Sequence, residues 1–464
     1  MLNYPSQTYL NPYNGNQACN PCQYDPLYNS QPVPMTCAQP CAEPCARKKC
    51  KKTCNKKNCR KCRKIKIECE PNCGQACAPQ CAPQCPPQCA PCAAPCPPPM
   101  PCKDPCPLKS FCDPALGNTC ASRPIIDLYS PKRAVPTWKV NFLVSNQTIV
   151  ASHVDPELIN PWGIVIYNNQ LWVANNGTDR LTNYDLFGNR LLASVSVREP
   201  IHDSAFPTGI AINCGAGFNI GNGAFTRAGL FIVVTETGTV HVYNPTIDPL
   251  NSVLVLNHQL GGEVAKYKGL AVANGVLYLA DFFQGHIDVF DSNFIRLLGY
   301  RFIDGDTSDP IPLDYGPTNI VHIGCFLYVI WARRHPDVSI HAIDGPGAGY
   351  ISIFGLDGGF IRRFTSRGVL NNPWAMIPAP CDCGFPPGSF LVSNHGDGRI
   401  NVFDCNGRYV GPLLNPAGLP IAISGLRGLA PHYVDFNEIY FTAAYEENIE
   451  GMLGNITRDQ IIYF

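Results

Sequence analysis

From residue 138 onward, short apolar stretches alternate with polar positions, and Gly, Asn, Asp and Pro separate one stretch from the next. Alternation with a period of two predicts β-strands, and the separating residues are those that favour tight turns. No helical period of ten or more residues occurs in this region. The pattern therefore predicts an all-β domain.

The strands recur as a unit, which usually opens with a glycine-containing apolar strand and closes with a strand that ends in an aromatic and a turn residue. The units begin at Gly163, Gly209, Gly269, Asn319, Ala375 and Gly428. Six units of about fifty residues, each with three or four strands, predict a six-bladed β-propeller. The stretch "WKVNFLVSN" at 138–146 belongs to no unit, and the last unit lacks a clear outer strand. We therefore expect 138–146 to complete the last blade and close the ring.

Several motifs in this region carry a resemblance, among them "NPWGI", "YKGLA", "LYLADFFQGHIDVFD", "SRGVLNNPWA", "GDGRINVFD" and "PIAISGLRGLA". They resemble a family of uncharacterised bacterial six-bladed β-propeller proteins, some of which carry a PEP-CTERM sorting tail. That family is related to NHL-repeat and gluconolactonase-like propellers. The resemblance covers nearly all of 138–457 and implies the fold, but it implies no activity. The chain departs from the family because a cysteine-rich segment replaces the signal peptide and no C-terminal sorting tail is apparent.

The N-terminal part of the chain has a different composition. Residues 1–120 contain 21 of the 26 cysteines, and their 14 Lys and Arg against 6 Asp and Glu give a net charge of +8. The remaining residues hold 21 basic against 29 acidic side chains, a net charge of −8. We expect a disordered or irregular Cys/Pro-rich tail over 1–123, a linker over 124–137 and the propeller over 138–464, because the tail lacks the apolar surface that a core requires.

Within the tail, "CAPQCAPQCPPQCAPC" at 77–92 repeats cysteine and proline. The prolines prevent a helix and favour polyproline II, in which a step of four residues separates successive thiols by roughly 12 Å. Bridged cysteines need Cα atoms about 4.4–6.8 Å apart, so neighbouring thiols of one extended chain cannot pair. This spacing predicts crosslinks between chains and self-association through Cys73, Cys77, Cys81, Cys85, Cys89, Cys92 and Cys96.

Residues 47–66 hold twelve basic side chains among four cysteines. This segment either binds nucleic acid or another acidic surface or is a solvated charge block. The predicted anion-binding residues are Lys48, Lys49, Lys51, Lys52, Lys56, Lys57, Arg60, Lys61, Arg63 and Lys64. Zinc is a less favoured alternative: Cys59 and Cys62 have the spacing of a ligand pair, but no second pair follows at finger spacing and no histidine precedes His153.

In a propeller, the start of each innermost strand and the end of the next strand lie at one face of the ring. The residues expected there are Asn175, Asn176, Glu236, Asp281, Arg333, Asn394, His395, Glu446, Trp162, Thr208, Lys268, Asn319, Trp374 and Arg427. The resemblance to lactonase-type propellers implies that Asn175, Glu236, Asp281 and Asn394 form an oxygen-ligand set suited to Ca²⁺. The alternative is that these side chains cap their own turns. No catalytic motif is present, and catalytic residues are not assigned.

The polar first residues, "MLNYPSQTYLNPYNGNQ", predict no secretory signal peptide, and no apolar run is long enough for a membrane helix. The cysteine content nevertheless indicates an oxidising environment, so we expect an extracellular, cell-surface or virion location. The first function hypothesis is a structural or adhesive surface or particle protein with a propeller head on a crosslinkable tail. The alternatives are a metal-dependent lactonase-like hydrolase and a nucleic-acid-associated protein that binds through the basic segment.

Overall fold

The computed structural model describes residues 134–148, 151–199, 203–258, 264–336, 341–380, 385–386, 388–432, 438–445 and 449–463. The predicted tail over 1–123 lies outside these residues, together with its crosslinking cysteines, its anion-binding residues and the zinc pair Cys59 and Cys62. Cys381, Cys383 and Glu446 also lie outside them. No helix among the described residues has the length and hydropathy needed to span a membrane.

The described residues form a six-bladed β-propeller, which confirms the predicted fold class. Strands β1 (Ala134–Ser145) and β2 (His153–Val154) precede blade 1, which contains β3 (Pro161–Tyr167), β4 (Gln170–Asn175), β5 (Arg180–Asp185) and β6 (Val195–Ser196). Blade 2 contains β7 (Pro207–Ile212), β10 (Phe231–Thr235), β11 (Thr239–Tyr243) and β12 (Val253–Asn257), and a separate hairpin consists of β8 (Asn219–Gly221) and β9 (Thr226–Ala228). Blade 3 contains three strands, β13 (Tyr267–Ala273), β14 (Val276–Asp281) and β15 (His286–Asp291).

The second half of the ring follows the same order. Blade 4 contains β16 (Tyr315–Ile323), β17 (Phe326–Arg333), β18 (Gly349–Gly355) and β19 (Phe360–Ser366). Blade 5 contains β20 (Pro373–Pro378), β21 (Phe390–Asn394), β22 (Ile400–Phe403) and β23 (Tyr409–Pro412). Blade 6 contains β24 (Leu426–Pro431), β25 (Glu438–Tyr445) and β26 (Glu450–Tyr463), and β1 and β2 complete its sheet.

The hydrophobic core lies between neighbouring blades rather than at one centre. Each of the six apolar clusters is built mainly from residues of two adjacent blades, and the cluster between blades 1 and 2 contains Trp172, Phe231 and Tyr243. Because a blade is covered on both faces, strands such as β10 and β11 are buried at every position. The alternation expected from the sequence is therefore weaker in the inner strands than in a sheet with one solvated face.

Closure of the ring follows the prediction. Strand β1 pairs antiparallel with β26 from Ala134 opposite Tyr463 to Ser145 opposite Met452, and β26 pairs with β25. β1 therefore occupies the outer position of blade 6, and Trp138 and Val144 are fully buried there. The strand begins at Ala134, within the predicted linker, because its pairing with β26 extends past Trp138 towards the N-terminus.

The glycines that open most of the repeat units have a packing role. A Cβ atom on Gly163 would lie 2.8 Å from the carbonyl oxygen of Thr208, and one on Gly269 would lie 2.0 Å from the side chain of Asn319. Both contacts are with the innermost strand of the next blade. The innermost strands therefore approach one another too closely for a side chain at these positions.

Candidate functional site

A cavity of about 610 Å³ lies where the innermost strands begin. We call this end of the ring the cavity face. The starts of innermost strands contribute Trp162, Lys268, Thr318, Trp374 and Arg427, and the residues that follow β4, β10 and β21 contribute Asn176, Glu236 and His395. The rest of the wall contains Asn160, Asp203, Ser204, Phe206, Thr237, Lys266, His341, Ala342, Asp344 and Asn372.

A chain of hydrogen bonds joins three blades across the floor of this cavity. The indole N–H of Trp162 donates to Asn160 Oδ1 at 3.0 Å, and Asn160 Nδ2 donates to Asn176 Oδ1 at 2.9 Å. Asn176 Nδ2 donates to Glu236 Oε2 at 3.2 Å, and Lys268 Nζ donates to Glu236 Oε1 at 2.8 Å. Both oxygens of Glu236 are therefore engaged.

Aromatic rings support the cations of the floor. Lys268 Nζ lies 4.7 Å from the ring centroid of Trp162 and 5.2 Å from that of Phe282. The guanidinium carbon of Arg427 lies 3.7 Å from the centroid of Trp162, and Trp374 packs edge-on against Trp162 at 6.1 Å. Cation–π contacts of this kind stabilise desolvated cations by up to about 2 kcal/mol.

The pKa values of the floor reflect burial and these charges. Burial alone would raise the pKa of Glu236, but Lys268 and the hydrogen bonds outweigh it and the pKa is lowered. Burial lowers the pKa of Lys268 against the opposing effect of Glu236, and it lowers the pKa of Arg427 to about 10. The lowered pKa of Glu236 favours its charged form, whereas the lowered pKa of Lys268 favours its neutral form. We regard the pair as ionised, because a buried carboxylate ionises this readily only beside a positive charge.

Two histidines on the cavity wall also have lowered pKa values. Burial, followed by the charge of Arg427, lowers the pKa of His395 to about 3. Burial and Lys268 lower the pKa of His341. His395 is therefore neutral at physiological pH, and its Nδ1 lies 3.3 Å from the carbonyl oxygen of Leu426.

The four residues predicted to bind Ca²⁺ have separate hydrogen-bond partners. Only Glu236 lines the cavity, where Lys268 is its partner. Asn175 Nδ2 donates to Thr182 Oγ1 at 2.9 Å. Asn394 Nδ2 donates to the carbonyl oxygen of Val369 at 2.7 Å.

Asp281 caps its own turn, accepting hydrogen bonds at 3.1 Å from the backbone N–H groups of Lys266, Phe283 and Gln284. Asn175 and Asn394 do not line the cavity because side chains alternate in direction along a strand. The alternation directs the next residues, Asn176 and His395, into the cavity. Of the remaining expected face residues, Arg333 forms an exposed ion pair with Asp314 at 2.7 Å.

Asn160 and Asn372 also line the cavity and were not predicted there, although a repeated motif marks both. Asn-Pro-Trp occurs at 160–162 and again at 372–374, and the two asparagines have positive φ angles of 46° and 49°. In blades 1 and 5 this turn directs a tryptophan, Trp162 or Trp374, into the cavity. The repetition was visible in the sequence, but its role depends on the turn geometry.

A second cluster of potential ligand atoms lies on blade 3. The ligand atoms of Asp281, His286 and Asp288 lie within 4.8 Å of one another. However, Asp288 accepts hydrogen bonds from Arg296 at 2.5 Å and from Tyr267 at 2.9 Å. Because the guanidinium already supplies the positive charge, we assign no metal centre here.

The opposite end of the ring carries cysteines. The first and third strands of a blade run in the same direction, so the turns after them lie at the end remote from the cavity. Cys325 lies on the turn between β16 and β17, Cys405 on that between β22 and β23, and Cys214 follows β7. We call this end the cysteine face. Cys325 and Cys405 are disulfide-bonded and Cys214 keeps its thiol.

All three cysteines are half-buried. Cys325 and Cys405, being disulfide-bonded, are therefore not simply small buried hydrophobic residues. Because they lie on turns, they can reach other cysteines that a cysteine in the middle of a strand would not reach.

Comparison with known proteins identifies viral relatives. The chain is 65% identical over 358 residues to the uncharacterized protein L690 of Acanthamoeba polyphaga mimivirus, a match that covers 77% of this chain and 96% of the relative. It is also 65% identical over 358 residues to the uncharacterized protein R648 of the same virus, covering 90% of that protein. The chain therefore belongs to this family of mimivirus proteins.

The matched length exceeds the range 134–464, so the similarity extends into the segment that precedes the propeller. No family model matches the chain. The relatives found are viral, so the resemblance to a bacterial family, some of whose members carry PEP-CTERM tails, finds no support.

Solved structures with similar architecture have low sequence identity. A Bacteroides thetaiotaomicron protein of unknown function is 12% identical with a TM-score of 0.45, covering 70% of this chain and 76% of that one. A streptogramin B lyase is 10% identical with a TM-score of 0.41, covering 69% and 98%. An α-L-arabinofuranosidase of Fusarium graminearum is 11% identical with a TM-score of 0.43, covering 71% and 98%. Similarity at this level supports no statement about activity.

Proposed function

We propose that the protein is a structural or adhesive component of a mimivirus-type particle, in which the propeller is a displayed binding head and the cysteine-rich segment is its attachment. The observation that carries this proposal is the difference between the two ends of the ring. The polar, aromatic cavity lies at one end, and Cys325 and Cys405 form disulfides at the other. A head attached through its cysteine face would leave the cavity accessible.

Two further observations support a particle protein. The relatives belong to a virus, and their similarity includes part of the segment before the propeller. That segment contains most of the cysteines, and their spacing along a proline-rich chain favours bonds between chains. Each disulfide removes two protons and two electrons from two thiols, which a thiol oxidase or a small-molecule disulfide would accept.

The test is to purify particles of the virus that encodes the chain and to compare their proteins with and without reductant. We expect the protein in the particle fraction, in high-mass material that dithiothreitol converts to the monomer of 50.7 kDa. Recovery of the protein only in the soluble fraction of infected cells, as a monomer without reductant, would exclude this function.

Mapping of disulfide-linked peptides from the same particles tests the attachment. We expect peptides that contain Cys325 or Cys405 to be linked to peptides from 19–120. Links from both residues only to Cys381 or Cys383 would contradict attachment through the cysteine face, because such bonds join the head to itself.

A further inference from the structure

The floor of the cavity holds a buried ammonium group with donors to spare. Lys268 is 5% exposed and lines the cavity, and its hydrogen-bond acceptor among the described residues is Glu236. An ammonium group has three N–H donors. Trp162 and Phe282 supply ring faces to this group, but ring faces compensate a buried cation less well than an anionic acceptor.

Glu236 is less able to bind a ligand than Lys268. Its two oxygens accept hydrogen bonds from Lys268 and Asn176, so a ligand donor would have to displace one of them. Arg427, on blade 6, adds a second positive charge over the ring of Trp162. Burial is the main cause of the lowered pKa values of His395 and His341, on other parts of the wall, and the charges of Arg427 and Lys268 lower them further.

The size and lining of the cavity indicate the kind of ligand. Its volume of about 610 Å³ lies within the roughly 300–1,000 Å³ that is usual for small-molecule sites. Asn372 and Trp374 line the same cavity and offer an amide group and an aromatic wall. Such a lining is suited to the hydroxyl groups and apolar faces of a sugar-sized molecule.

We propose that the cavity binds the oxyanion of a sugar-sized ligand, a carboxylate or phosphate group, with Lys268 as the donor in direct contact. This inference rests on the proposed function of the propeller as a binding head. It goes further because it assigns the chemical class of the ligand and the residue that recognises it. Charge-assisted hydrogen bonds to oxyanions are about twice as strong as neutral ones, which makes Lys268 the principal source of selectivity.

The first experiment measures binding to the full chain by isothermal titration calorimetry at low ionic strength. The probes are glucuronate, glucose 6-phosphate and neutral glucose. We expect at least one anionic sugar to bind about tenfold or more tightly than glucose. Binding of glucuronate alone assigns a carboxylate, binding of glucose 6-phosphate alone assigns a phosphate, and binding of both assigns a general oxyanion site. Absence of anion binding, or equal binding of glucose, would overturn the proposal.

The second experiment compares variants with the anionic probe that binds. Lys268→Met should weaken binding about tenfold or more, and Lys139→Met, at an exposed position of β1, should change it less than twofold. Glu236→Gln should strengthen binding severalfold, because it removes the negative charge that competes with the ligand. Weaker binding in Glu236→Gln would instead identify Glu236 as the ligand contact and contradict the proposal.

Folding is controlled by a double variant. Lys268→Met alone leaves the carboxylate of Glu236 buried without its cation, whereas Lys268→Met/Glu236→Gln removes both charges. The double variant should fold and should still bind the anion about tenfold more weakly than the wild type. Unchanged binding in the double variant would overturn the role of Lys268. Because binding is measured in solution and the particle role in purified particles, either can fail while the other holds.

Discussion

The two faces of the propeller are built from the same repeated strands but differ in chemistry. At the cavity face, side chains from several blades contact one another, and a single hydrogen-bonded chain runs from Trp162 to Lys268. At the cysteine face, the cysteines lie on separate turns, and two of them form disulfides. No described cysteine lines the cavity. The comparison shows that one closed ring presents two chemically different ends.

This separation depends on the closed ring. In an open ring the innermost strands would not hold a fixed distance, and the floor residues of blades 1, 3 and 6 would not stay in contact. Turns, in contrast, are formed by residues close in sequence and would persist in a less ordered blade.

The largest effect is expected from removal of the closing strand. Deletion of 1–125 should leave a folded propeller, whereas deletion of 1–146 removes β1 and exposes β26 as a sheet edge. The loss of the buried Trp138 and Val144 alone costs about 3–6 kcal/mol. We expect the melting temperature to fall by about 10 °C or more relative to the shorter deletion. Equal melting temperatures in calorimetry would contradict closure by β1.

The next largest effect concerns the buried pair of the cavity face. Lys268→Met should destabilise the fold by about 3–5 kcal/mol, because Glu236 would remain as a buried and unpaired carboxylate. The double variant with Glu236→Gln should recover most of this loss in urea unfolding. A double variant that is as unstable as Lys268→Met would indicate that packing, rather than charge, is what Lys268 contributes.

At the cysteine face, the disulfides should contribute stability and Cys214 should not. Cys325→Ser and Cys405→Ser should each lower the free energy of unfolding by about 2–4 kcal/mol under oxidising conditions. Cys214→Ser is the matched control, with an expected change below about 0.5 kcal/mol. If dithiothreitol leaves the melting temperature of the wild type unchanged, these disulfides do not stabilise the head.

Acid should weaken both faces through buried histidines. Burial lowers the pKa of His395, at the cavity face, to about 3 and that of His322, near the end of β16, to about 4. In the unfolded chain each of these histidines binds a proton near pH 6.5, whereas in the folded chain it stays neutral to lower pH. The stabilising contribution of each histidine is therefore complete above pH 6.5 and is lost as the pH falls. Each histidine adds a slope of at most about 1.4 kcal/mol per pH unit, over pH 6.5–3 for His395 and pH 6.5–4 for His322.

His395→Asn and His322→Asn should each flatten the dependence of unfolding free energy on pH in that window. The slope should persist to lower pH in His322→Asn than in His395→Asn, because burial and, after it, the charge of Arg427 lower the pKa of His395 to about 3, below the value of about 4 for His322. Urea unfolding at several pH values measures both slopes. Identical slopes in the wild type and both variants would show that neither histidine is protonated only on unfolding.

The smallest effect is expected from calcium. Because Asn175, Asp281 and Asn394 bond to nearby strands and turns, millimolar Ca²⁺ should shift the melting temperature by less than about 1 °C relative to a chelator. A shift of several degrees that Glu236→Gln abolishes would instead support the calcium site expected from the sequence. Differential scanning fluorimetry with and without EDTA decides between these outcomes.

The amino-acid sequence by itself determined the number of blades, the order of strands and the closure by 138–146. These features follow from local patterns, since each hairpin joins neighbouring strands and its turn residues are visible. Asn168 with Asn169, and Asn274 with Gly275, have the paired positive φ angles that two-residue hairpin turns require. Closure could be predicted because one strand remained without a blade.

Only the tertiary structure decided which strand-end residue enters the cavity and which side chains meet there. A shift of one position reverses the direction of a side chain, so the sequence could not distinguish Asn175 from Asn176. The contact between Glu236 and Lys268 joins two blades, and its geometry depends on the closeness of the innermost strands around the ring. The separation of the cavity from the cysteines also depends on the tertiary structure. It arises from the direction in which successive strands cross the ring, and that direction is set when the six blades pack together.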